Sequence, residues 1–298
     1  MPLLRHYLDV STLTHSQFTL LLPLLPPQTQ TSITRYHFPE DRSLSLGSAL
    51  LQRHLICAHY AQYTTLRSAP LSRDPLSGRP FHTAGAGVAD YNVSHHSPRL
   101  EYPSGGERCI VALAAIVGAE AWGRRVGVDV VPTTHRRDGA EEFVDTFCGA
   151  DHAGVFTAYE RAVVMAQPGI EGRVRRLYLL WALKEAYTKA IGVGVVMDLT
   201  KIEFRGLEGM VGERWTGAEV WVDGRREERW YLEVSFLPGR KGGEGVGFWI
   251  AVCCDRAALA EGDEGGEWKE VDLLEEIVKP YGGESAKEII EKWHSELG

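Results

Sequence analysis

A long, two-sided helix limits most strongly how this chain can fold. Between Arg173 and Gly192 the residues sort by the helical period into two sides. Leu179, Leu183, Ala186 and Ala190 form an apolar back, while Trp181, Glu185, Thr188 and Lys189 gather on the front. Gly192 is a helix stop. Such a back needs a surface to lie on, and Arg125 to Pro132 offers one. Valines 126, 128 and 130 alternate with Gly127 and Asp129, so a strand here carries the valines on one face and Asp129 on the other. Pro132 ends it.

Elsewhere the pattern mixes helix and sheet. Residues 28–41 read as polar and turn-like, and Leu46, Leu50, His54, Cys57 and Ala61 predict a helix from Leu44 to Ala61. Ser72 to Ala89 reads as loop, Tyr91–Ser94 as a short strand and Cys109–Ile116 as a buried strand or short buried helix. Lys201–Phe204 and Gly247–Cys254 read as strands. Ala218–Val222 and Trp230–Phe236 flank Asp223-Gly224 as a hairpin. From Glu267 to Leu297 the tail is acidic, amphipathic and helical in pattern. The class is α+β, with two halves joined before Gly127, although no sequence repeat supports that division.

Composition bounds the function. At 298 residues, with 44% hydrophobic and 24% charged residues, the chain can bury a large core. A net charge of -8 argues against nucleic-acid binding through the overall field. Anions must then meet local basic clusters such as Arg124-Arg125, His135-Arg136-Arg137 or Arg173, Arg175 and Arg176. The five cysteines contain no C-x-x-C pair, which argues against a cysteine zinc site and for a reducing, cytoplasmic setting. The apolar stretch Phe18–Leu25 is too short to span a membrane.

Common signatures are missing: no Walker A loop, no H-E-x-x-H, no G-x-S-x-G, and only a fragment of a dinucleotide fingerprint at Gly85-Ala-Gly87. A carboxylate pair remains. Asp129 from a strand and Glu185 from a helix packed on it make a minimal magnesium site, completed by phosphate oxygens and water. Lys189, one turn beyond Glu185, can hold a phosphate oxygen. Spacing alone is equally satisfied by a Glu185–Lys189 helix salt bridge and by Asp129 as a turn former.

The wording of these segments decides between the two. Gly127-Val-Asp129-Val and Trp181-x-x-Lys184-Glu185-Ala-x-x-Lys189 resemble the signature motifs of 4'-phosphopantetheinyl transferases, about fifty residues apart as in the larger monomeric type. Gly78-Arg79-Pro80 with Tyr91-Asn-Val-Ser94-His95 is similar to a third motif of that family. The resemblance spans roughly residues 30 to 255 and leaves out the acidic tail.

It implies two similar α+β halves, a pseudo-dimer with the active site in the cleft between them. The divisions expected are residues 1–126, contacting coenzyme A, 127–258, holding metal and docking the carrier, and a tail of 259–298. It further implies that Asp129 and Glu185 bind magnesium and that Lys189 contacts phosphate. Ser94, His95, Lys184 and the Gly78-Arg79-Pro80 turn would touch the coenzyme, with Arg53 and Arg73 near its 3'-phosphate. Arg79 replaces the family lysine, and Val131 stands where bacterial members often place a third acid that animal and fungal members commonly lack. The activity implied is transfer of phosphopantetheine from coenzyme A to a serine of an apo carrier protein of fatty-acid, polyketide or nonribosomal peptide synthases, by a monomer. Glu185 or Asp151 would take the serine proton. Asp151 equally suits a helix N-cap for His152–Val164. Two other readings are a non-catalytic carrier-binding protein of the same fold and an unrelated magnesium-dependent phosphotransferase.

Overall fold

The computed structural model describes residues 3–75, 78–82, 87–97, 108–135, 137–149, 154–193, 197–208, 210, 212–239 and 246–297. The chain opens with β1 (Leu3–Asp9), α1 (His15–Leu21), α2 (Pro27–Thr34) and the long α3 (Pro39–His59). A small ladder, β2 (Ser72–Arg73) with β3 (Pro80–Phe81), precedes β4 (Val88–His96) and β5 (Ile110–Val117). The second half runs β6 (Val126–Pro132), α4 (Ala140–Cys148), α5 (Ala158–Met165) and α6 (Gly169–Ile191). Four short strands follow: β7 (Ile202–Arg205), β8 (Arg214–Trp215), β9 (Glu219–Val222) and β10 (Arg225–Arg226). Then come β11 (Trp230–Leu237), β12 (Phe248–Asp255), β13 (Lys269–Glu270), α7 (Lys279–Tyr281) and α8 (Ala286–Leu297).

The two main sheets have orders β13-β1-β5-β4 and β6-β12-β11-β8. Each half places its last long strand between its first and second, antiparallel to both. One long helix follows the first strand in each case: α3 after β1 and α6 after β6. The sheets meet face to face through Ile110, Ala112, Ala114 and Ile116 on one side and Phe248, Ile250, Val252 and Cys254 on the other. α3 packs on the outer face of the first sheet and α6 on that of the second, giving two further apolar cores.

Facing strands of opposite halves are cross-linked by side chains at equivalent places. Asn92 of β4 accepts a hydrogen bond from the Val128 backbone N–H of β6 at 3.1 Å. At the other seam Arg5 of β1 donates to Glu233 of β11 at 2.6 Å, both buried. Registers β4–β5 and β11–β12 make Asn92 and Glu233 equivalent, each two residues before a serine, Ser94 or Ser235, paired with Ala112 or Ile250. The two-half fold is therefore present in topology where the sequence shows no repeat.

Several expectations change. Residues 27–34 form α2, with Pro27 in the first turn, instead of a turn-like stretch. Asp223 (φ 48°) and Gly224 (φ 75°) do make a tight turn, but it joins β9 to the short β10, while β11 pairs with β12 and β8. Helix α5 starts after Thr157, whose hydroxyl accepts from the Glu160 N–H in a capping box. Asp151 lies outside the described residues. In the tail β13 pairs in parallel with β1, and Val271, Ile277, Val278 and Ile289 enter the core of the first half.

Candidate active site

Close approach of α6 to β6 builds the site, and Gly127 permits it. A Cβ at Gly127 would overlap the Ala186 carbonyl and the Ala190 nitrogen. The helix ends where expected, with Gly192 in the left-handed region (φ 78°) donating its N–H to the Thr188 carbonyl. Its last turns thus lie directly over the strand that carries Asp129.

Three elements meet there. Lys189 of α6 reaches Asp129 Oδ1 of β6 with its Nζ at 2.6 Å. Ser94 of β4 donates its hydroxyl to the same Oδ1 at 2.8 Å. Lys189 Nζ also lies 3.1 Å from Ser94 Oγ and donates to the Val128 carbonyl at 3.2 Å. Lys189 is bonded across to β6 and β4, so the helix salt bridge with Glu185 is not what fixes it. Glu185 is half-buried, and its carboxyl is held above the ordinary carboxylate range, first by burial and then by the charge of Asp129, against the pull of Lys189.

Two cavities lie near this cluster, and the first is lined by two of its residues. One of about 480 Å³ is lined by Asp129 and Glu185 together with the aromatic side chains of Phe143, Phe147, Tyr178 and Trp181. The other, of about 600 Å³, is lined by Arg53 and Arg73 with Thr29, Ser32 and Gln52. His95 lines both, so the cavities adjoin at that residue. Burial first, and then the Lys189 charge, push the His95 imidazole below its usual value.

Arg53 is the decisive group in the second cavity. It is 4% exposed, and its guanidinium donates to the Ala49 carbonyl and the Thr29 hydroxyl. Among the described residues it pairs with no carboxylate, and burial lowers it to about 10. A buried cation with neutral partners alone is costly and attracts an anion. Arg73 donates to the Gly78 carbonyl at 2.9 Å, which braces the hairpin turn beside the same cavity. Gly78 stands at φ 68°, where a side chain is strained, and Pro80 begins β3.

Two of the expected site residues are held by partners of their own. Lys184 is 1% exposed and points away from the cleft, into the core between α5, α6 and β7. Its ammonium pairs with Glu160 at 2.9 Å and donates to the carbonyls of Leu199 and Ile202, so it fixes the roll of α6 and reaches neither cavity. Arg79 is buried, and its guanidinium bonds Asp90 and the carbonyls of Val126 and Lys189. Sequence reasoning missed Thr29 and Ser32 because the segment of α2 reads as a turn, while Gln52 lies on α3 and carried no signal of its own. Pro26-Pro27 ahead of a polar run was the available signal.

Residues 125–236 match the family described as the 4'-phosphopantetheinyl transferase superfamily, and residues 12–99 match 4'-phosphopantetheinyl transferase, N-terminal. A 4'-phosphopantetheinyl transferase 1 of Fusarium mangiferae is 32% identical over 292 residues, covering 89% of this chain and 87% of that protein. The chain belongs to the 4'-phosphopantetheinyl transferases. It is similar also to 4'-phosphopantetheinyl transferase pptA of Paxillus involutus, at 30% identity over 76% of this chain and 78% of that protein. The human L-aminoadipate-semialdehyde dehydrogenase-phosphopantetheinyl transferase is 24% identical over 74% of this chain and 66% of that protein. The two family matches fall one on each half of the fold, and the transferase motifs at Asp129, Glu185 and Lys189 lie in the second. Among the described residues no helix of this transferase is long and apolar enough to cross a membrane.

Proposed function

We propose that the chain transfers the 4'-phosphopantetheine arm of coenzyme A to a serine of an apo carrier protein and releases 3',5'-ADP. The observation that carries this reading is the pair of cavities adjoining at His95, one basic and one aromatic, with the Asp129–Lys189–Ser94 cluster beside them. A ligand with an anionic nucleotide end, a pyrophosphate and an apolar arm matches that order of surfaces. Arg53 and Arg73 take the 3'-phosphate end. His95, Ser94 and Lys189 face the pyrophosphate, and the aromatic cavity takes the pantetheine arm.

Magnesium fits the donor set. Asp129 and Glu185 line one cavity, and the charge of Asp129 disfavours that of Glu185, which a divalent cation relieves. Among the described residues no cluster of three or more metal-binding side chains exists, and Asp129 and Glu185 are the residues that would hold the ion. When bound, magnesium neutralises charge on the pyrophosphate.

In the transfer, the carrier serine oxygen attacks the β-phosphorus, and the bond from that phosphorus to the bridging oxygen of the departing 3',5'-ADP breaks. Glu185 accepts the serine proton, as a carboxylate lining the same cavity as Asp129. Lys189 leaves Asp129 for the oxygen on which charge builds. Asp151 is retained as a second candidate base. The carriers expected are those of fatty-acid, polyketide and nonribosomal peptide synthases, and the working form is a cytoplasmic monomer. The test is direct: incubate the chain with coenzyme A, magnesium and an apo carrier protein, then weigh the carrier. A gain of one phosphopantetheine supports the reading, and no gain across several carriers sinks it.

A further inference from the structure

The buried Arg79–Asp90 pair joins the two halves at the rim of the active cleft and touches the last turn of α6. Asp90 is on β4, 7% exposed. Its Oδ2 accepts from Arg79 and, at 2.7 Å, from the Val126 N–H at the start of β6. Its Oδ1 lies 3.9 Å from Arg125, which leads into that strand. Burial raises the Asp90 carboxyl, against the opposing pull of Arg79 and Arg125. Arg79 in turn spans three elements: Asp90 of β4, the Val126 carbonyl of β6, and the carbonyl of Lys189 itself.

That last contact matters most. Carbonyls at the end of a helix lack partners within it, and a guanidinium that takes one fixes the turn. The fixed turn carries the Lys189 ammonium toward Asp129 and Ser94. A planar fork of donors can serve a carboxylate and two carbonyls at once, whereas an ammonium on a flexible stem cannot hold that geometry.

We propose that Arg79 and Asp90 are positioning residues: together they hold the backbone of Lys189 so that its ammonium meets the pyrophosphate. This rests on the transfer reading above, in which Lys189 acts on the leaving group. A positioning role predicts a loss in kcat, since a misplaced Lys189 fails chiefly where charge develops. A phosphate-binding role predicts a rise in coenzyme KM.

The experiment measures steady-state carrier modification by the full-length chain and by Asp90→Asn, Arg79→Lys, Arg79→Gln and the Asp90→Asn/Arg79→Gln double variant. Asp90→Asn still offers an oxygen to the Val126 N–H but loses the charge that Arg79 pairs with. The expected result is a fall in kcat of about tenfold or more in each single variant, with coenzyme KM within about twofold. The double variant should be no slower than the worse single one, because both act through the same carbonyl. Arg79→Lys keeps the charge in place and guards against a variant that merely unfolds. A tenfold rise in coenzyme KM at unchanged kcat for Arg79→Lys would overturn the proposal, as would multiplying losses in the double variant. A wild-type chain that modifies no carrier defeats the transfer reading itself. An active wild type with unaltered variants defeats the positioning role alone.

Discussion

At the scale of single residues, the site is a set of charges that the fold holds at a cost to itself. Ionised Glu185 is disfavoured by burial and by Asp129, so the fold prefers its neutral form. Its contribution to stability is therefore greatest below the ordinary value of 4.5 and is lost as pH rises through the raised folded value. Glu185→Gln should lower turnover by about a hundredfold or more. The thermal midpoint at neutral pH should stay the same or rise. Mass spectrometry of the carrier and thermal unfolding read the two effects; retained turnover would remove Glu185 from the chemistry. Arg53→Met argues the same way from the other end. It should weaken coenzyme binding by about tenfold, the scale of one charged hydrogen bond, while raising the thermal midpoint because a buried cation is gone. Isothermal titration with coenzyme A alongside a melting curve checks both signs. Motif wording pointed to Asp129, Glu185, Lys189, Ser94 and His95, and these meet in the fold. Lys184 sits in the same motif but faces the core, because adjacent helix residues point about 100° apart. Only its partner Glu160, one turn into another helix, explains that side.

Elements show why some structure was legible and some was not. The ends of α6 and the alternation of β6 follow from local signals: valines every second residue, a terminal glycine, and a glycine where the helix backbone must pass. Gly127→Ala should cost more than about 2 kcal/mol in denaturant unfolding, since the new methyl meets backbone that cannot rotate away, and it should slow turnover by lifting Glu185 and Lys189 off Asp129. A variant that unfolds like the wild type would show that α6 can shift freely. The closing segment was illegible for the opposite reason. Its amphipathic pattern says that it packs, but the pairing of β13 with β1 lies more than two hundred residues away in sequence. That segment covers one side of α3, where His54 contacts Tyr281 and His6. Burial, with the charges of His6, Lys269 and His59 and against that of Glu276, lowers His54 to about 4. Its unfolded value is near 6.5, so the stability from keeping it neutral is complete above 6.5 and is lost as pH falls toward 4. Between pH 7 and 5 that loss amounts to about 2 kcal/mol for this one residue. His54→Leu should flatten the pH dependence of stability over that range, and amide exchange in residues 269–297 should report the release first. An unchanged pH profile would show that His54 does not control the segment.

For the molecule as a whole, the repeat is one of topology without sequence likeness, because packing fixes strand order and helix side while leaving residue identity open. Two seams bring the halves together, and they have been filled differently. At β4–β6 the link is a neutral amide on a backbone N–H, and beyond it lie Ser94, Asp129 and the adjoining cavities. At β1–β11 the equivalent position holds the buried Arg5–Glu233 pair, with Tyr231 donating to the same carboxylate at 2.8 Å. The arithmetic of ligand loading follows. A chain built as a dimer in miniature should bind coenzyme A at one equivalent, and the titration endpoint should stay at one when Glu233 is replaced by Gln. The dimer-like frame is therefore unequal by construction, with a buried ion pair at one seam where the other has a neutral amide.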